Sequence, residues 1–105
     1  MKKIELASDA QSDLLEIWVY LGEKSVRLAD RIALQIEQKI DTLSLFPAMG
    51  RSRDELQKGL RSLVVGDYLI FYQNQEEKIT VLRVLHGSRD FTELFSLNED
   101  NDENG

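Results

Sequence analysis

The sequence contains no cysteine, one proline, one histidine and one tryptophan among its 105 residues. Without cysteine there are no disulfides, no thiolate metal ligands and no sulfur nucleophile. A single histidine removes the usual imidazole-rich metal sites, so neither a metal nor a cofactor is expected. No apolar run approaches the ~18–20 residues that a membrane span requires. The opening MKKIELASDA lacks the ~7–15-residue apolar stretch of a signal peptide. These absences point to a soluble, cytoplasmic protein.

What is present suits one globular domain. Hydrophobic residues make up 42% and charged residues 30%, within the range of chains that bury a core. Net charge is −6, but the last eight residues, NEDNDENG, hold four acids and no base. Residues 1–97 are therefore taken as the domain and 98–105 as a disordered acidic tail. The body carries thirteen bases against fifteen acids. Such near-neutrality disfavours direct nucleic-acid binding, which relies on Lys and Arg to neutralise phosphates.

Periodicity supplies the elements. Ile4 and Leu6 alternate with charges in a short strand. Ser8 and Gln11 have capping-box spacing, and Leu14, Ile17, Trp18 and Leu21 form an apolar stripe over residues 9–22, with Asp13, Glu16 and Glu23 on the other side. By that spacing Trp18 is core, whereas Tyr20 falls off the stripe and is a candidate partner-facing aromatic. After a corner at Gly22–Ser25, Leu28, Ile32, Ile36, Ile40 and Leu43 mark a second helix, which Pro47 stops. Three strand-like runs follow the loop AMGRSRDELQKG: residues 60–65, 68–73 and 78–86, separated by hairpin-length gaps. The expected fold is α+β in the order β-α-α-β-β-β. A helical hairpin covers one face of a mainly antiparallel four-stranded sheet, and a short C-terminal helix over 91–97 is a further candidate.

The stretch FPAMGRSRDELQKGLRSLVVGDYLIFY followed by ITVLRVLHGSRD resembles the ParE branch of the RelE/ParE toxin superfamily. The likeness covers about residues 3–95, including the first-helix segment LASDAQSDLLEIWVYL. The resemblance implies the toxin of a bacterial type II toxin–antitoxin operon, with a role such as plasmid stabilization. It implies neutralisation by a ParD-like antitoxin that folds on the toxin, and inhibition of DNA gyrase. DNA would then be bound only through the antitoxin. RelE-like relatives instead cut messenger RNA on the ribosome, which is the alternative function.

Cleavage without a metal needs acid–base groups and cations around the phosphate. Arg61, Arg83 and His86 are the right types. Against this, the catalytic tyrosine that RelE-like relatives carry beyond the last strand has no counterpart, since the tyrosines are Tyr20, Tyr68 and Tyr72. Strict alternation also puts Arg83 and His86 on opposite faces unless a bulge intervenes. Arg83 could equally be a structural ion pair, with Glu5 or Asp67 as its partner. The reading adopted is a non-enzymatic, protein-binding toxin whose candidate contact residues are Tyr20, Arg51, Arg53, Arg61, Arg83 and Arg89. Asp90 is the expected cap of the terminal helix.

Overall fold

In the computed structural model, which describes residues 1–89 and 94–95, two helices pack on a five-stranded mixed sheet. The chain runs β1 (Lys3–Leu6), α1 (Ser8–Lys24), α2 (Val26–Thr42), β2 (Arg51–Ser52), β3 (Leu60–Val65), β4 (Tyr68–Asn74) and β5 (Lys78–His86). Strand order is β1-β5-β4-β3-β2. β1 runs parallel to β5, and every other neighbouring pair is antiparallel. The α+β order is as expected from the sequence, with one strand more: the loop after Pro47 contains β2, two residues paired with Arg61 and Ser62. So short a strand leaves no alternation to detect. The terminal helix expected over 91–97, its cap at Asp90 and the tail lie outside the described residues, apart from Leu94 and Phe95.

The helices form because their apolar positions recur every three or four residues and need one covering surface. On α1 that face is centred on Ala10, Leu14, Ile17 and Leu21, and on α2 on Ala29, Ile36 and Ile40. Ser25 alone separates the two helices, its hydroxyl accepting from the Leu28 amide at 3.2 Å as the N-cap of α2. The expected cap of α1 is absent. Ala7 holds that position, and Gln11 turns back to donate to the Leu6 carbonyl at 3.0 Å. α2 ends at Thr42, ahead of Pro47, and irregular turns bridge the gap.

Both faces of the sheet are covered. On the helical side Ile36, Ile40, Leu43, Tyr68, Ile70, Tyr72, Ile79, Val81 and Val84 form the main core. On the other side Leu60, Leu69, Phe71 and Leu85 pack with Leu56 and Phe95. β4 lies between these layers, so its five residues Tyr68–Tyr72 are all buried, which explains an unbroken apolar run in place of alternation. β5 breaks strict alternation. Phe71 pairs with Arg83 but Tyr72 pairs with Val81, leaving Leu82 as the extra residue of a bulge. Val84 therefore joins Ile79 and Val81 in the helical-side core, while Leu82 and Leu85 face the other layer.

Candidate interaction site

The local chemistry begins where β1 stops. The Ala7 amide donates to the Val81 carbonyl at 2.9 Å, extending the parallel ladder by one bond, and the chain then turns into α1. Beyond that point β5 has a helix beside it in place of a strand. The Val84 amide finds its acceptor in the Asp13 side chain, Oδ2 at 3.0 Å. The Arg83 fork closes on the same carboxylate, Nε to Oδ2 at 2.7 Å and Nη2 to Oδ1 at 2.9 Å. Asp13 is only 6% exposed, and both its oxygens are used.

This arrangement corrects two expectations. Asp13 is not on the solvent side of α1, and the ion-pair partner of Arg83 is neither Glu5 nor Asp67. Glu5 is instead bound to Lys78 at 3.0 Å. The Asp13 hydrogen bonds push the Arg83 pKa up, and Asp9 and Glu16 add to the effect. The sequence did carry a signal for Asp13. It lies three residues after Ala10 and four before Ile17, beside the true centre of the buried stripe. Trp18, by contrast, is 46% exposed at the edge of that stripe, its indole N–H donating to Asp30 at 3.2 Å.

The remaining candidates fall into two groups. Arg61 is drawn toward the loop after Pro47, donating to the carbonyls of Gly50 at 2.7 Å and Ala48 at 3.3 Å. Tyr72 fixes the same loop by accepting from the Gly50 amide and donating to the Pro47 carbonyl. A Cβ on Gly50 would lie 2.6 Å from that hydroxyl, so only glycine fits there. Burial pushes the Tyr72 pKa up, keeping it a neutral donor. Arg53 donates to Ser62 at 2.8 Å and lies 3.5 Å from Glu55. Arg51 is exposed on β2.

The second group lies at the other end of the sheet. Tyr20, His86 and Arg89 line one cavity of about 540 Å³ with Asp13, Glu16 and Tyr68. Tyr20 is exposed, as expected, and Lys24 sits over its ring at 4.5 Å from the centroid. Arg83 and His86 are not joined at one point. The guanidinium is held by Asp13, whereas His86 Nδ1 contacts the Ser88 hydroxyl at 2.7 Å and receives the Ser88 amide at 3.1 Å. Among the described residues no group of three or more His, Cys, Asp or Glu could hold a metal, and no helix is long and apolar enough to cross a membrane.

With this geometry in place, comparison with known proteins gives a consistent result. The family profile described as the ParE toxin of the type II toxin–antitoxin system parDE matches residues 4–91. Toxin ParE1 of Caulobacter vibrioides is 30% identical over 89 residues, covering 84% of this chain and 92% of that protein. Toxin RelE2 of the same organism is 31% identical, with 76% and 89% covered. Among solved structures, a chain of the chromosomal ParDE toxin–antitoxin system from P. aeruginosa superposes with a TM-score of 0.70 at 19% identity. The alignment covers 82% of this chain and 96% of that one, and it shows a shared fold.

Proposed function

This chain belongs to the ParE toxin family of type II toxin–antitoxin systems, and from that premise we propose that it acts by binding and inhibiting DNA gyrase, without catalysis of its own. The observation that carries this reading is the commitment of Arg61 and Arg83. A phosphate-cleaving site needs guanidinium groups aimed at one open position beside an acid and a base. Here Arg83 is consumed by Asp13, Arg61 by two loop carbonyls, and His86 faces Ser88. What remains is a surface for recognition.

In the same reading a ParD-like antitoxin neutralises the toxin and supplies any DNA contact of the pair, in the cytoplasm. Leu15, Trp18 and Val19 on α1 and Leu34 on α2 are all at least 46% exposed. An apolar cleft of about 350 Å³ opens between the helices, lined on the α2 side by Ala29, Ala33, Ile36 and Glu37. Apolar positions at helical spacing beside such a cleft suit an amphipathic helix laid into the groove. Asp30 and Glu37 flank it, favouring basic residues on that helix.

Supercoiling of relaxed plasmid by purified gyrase tests the target. Inhibition that deepens with toxin and is relieved by the antitoxin is expected. Unchanged supercoiling at excess toxin, together with codon-positioned cuts in messenger RNA on translating ribosomes, would replace this reading with the ribonuclease one. The similarity to Toxin RelE2 makes that control worthwhile.

A further inference from the structure

The cavity between α1 and the end of β5 has a polar inventory that neither fold nor family explains. Its Asp13 oxygens are taken by Arg83 and Val84. Glu16, one turn along, lines the cavity with a carboxylate that has no hydrogen bond or ion pair among the described residues. Tyr68 is 9% exposed, yet its hydroxyl has no partner among the described residues. Buried tyrosines ordinarily find one. No fully enclosed side-chain oxygen or nitrogen lacks a partner among the described residues, so this hydroxyl keeps some access to solvent, and Tyr68 lines the cavity. The His86 ring stands edge-on to Tyr68, centroids 5.4 Å apart at 83°. Because Ser88 N–H donates into Nδ1, the ring proton belongs on Nε2.

The sign of the expected occupant follows from the charges. The α1 side carries Asp9, Glu16 and Glu23 against Lys24, and Arg83 is already neutralised. Both Asp9 and Glu16 act on Arg83 through space, and Glu16 is the lining carboxylate with no basic partner among the described residues. Lys24 shows how a cation is received nearby: its ammonium sits over the Tyr20 ring and donates to the Tyr20 hydroxyl at 2.9 Å. Ile17 and Val84 give the cavity an apolar strip for a methylene stem. Arg89 also lines the cavity, and its charge opposes a cation placed beside it, so an incoming guanidinium belongs on the Glu16 side.

We propose that this cavity receives one arginine side chain projected by a protein partner, its guanidinium against the Glu16 carboxylate and the Tyr68 hydroxyl, flanked by the Tyr20 and His86 rings. The planar fork of arginine matches a carboxylate and stacks on aromatic faces, which an ammonium does less well. The site stands on the cavity alone, so it does not depend on the gyrase reading.

The test uses the full chain, labelled with ¹⁵N and titrated with N-acetyl-arginine amide. Uncharged N-acetyl-citrulline amide and N-acetyl-glutamate amide are run beside it. Saturable shifts at the Tyr20, Tyr68, Gly87 and Ser88 amides are expected with the arginine compound alone. Glu16→Gln, which removes no contact of the fold, should weaken them roughly fivefold, the scale of one partly screened ion pair. Tyr68→Phe should weaken them while leaving far-UV circular dichroism unchanged. Equal response to citrulline, stronger response to glutamate, no saturable shift, or indifference to Glu16→Gln would each overturn the assignment.

Discussion

At Asp13 three N–H donors from β5 meet one carboxylate inside the fold. Asp13→Asn keeps the shape but turns one acceptor into a donor facing donors and leaves the Arg83 charge uncompensated. Breaking a buried pair costs ~3–5 kcal/mol. The Arg83 side chain is 21% exposed, so the expected loss is nearer ~2–3 kcal/mol, read by urea unfolding. In a double-mutant cycle, Arg83→Gln should cost at least ~1 kcal/mol less in the Asp13→Asn background than alone. Additive losses would show that the two side chains stabilise the fold independently. This pair also marks where single-residue reading of the sequence stopped. The residue types were visible, but Asp13 reaches Arg83 across seventy positions, and its burial depends on centring the α1 stripe on Ala10 and Ile17 rather than on the bulky Trp18.

Among the elements, three strands were bounded closely by β-branched and aromatic content, with LRSLVV and KITVLRVLH matching β3 and β5. The β5 bulge was illegible, because an inserted residue changes pairing without changing composition. So was β2, whose identity comes only from its neighbour. The edge pairing of β1 offers a measurable handle. Lys78 donates to Glu5 across the parallel pair and holds the Glu5 pKa below its ordinary 4.5, by hydrogen bond first and charge second. A lowered acid contributes its stability above the unfolded value, and loses it as pH falls through the folded one. NMR titration should therefore place the Glu5 midpoint below 4.5, and Lys78→Gln should move it upward. An unmoved midpoint would mean that Lys78 is not the cause.

For the molecule as a whole, the class was legible because an order of elements is written in periodicities, whereas the second apolar layer was not. That layer needs Leu56, from a loop, and Phe95, from beyond the last strand, to meet on the far side of the sheet, and no local pattern announces such a meeting. The exposed apolar residues of the helical hairpin lead to a bulk prediction. A partner that binds only the folded toxin stabilises it by about 4 kcal/mol at a thousand times its dissociation constant. Scanning calorimetry of toxin alone and with the antitoxin should show a clearly higher Tm for the pair, rising with antitoxin concentration. Superimposable transitions would argue against a native-state antitoxin complex.

The parallel pairing of β1 with β5 also sets a timetable for synthesis. Lys3 leaves the ribosome well before Lys78, its register partner, which emerges only after all the intervening strands. Until then α1 has no β5 edge to lean on, and Asp13 faces water instead of its three donors. Pairing at such sequence separation is slow to nucleate. The nascent toxin thus has no finished surface until β5 has emerged and paired with β1.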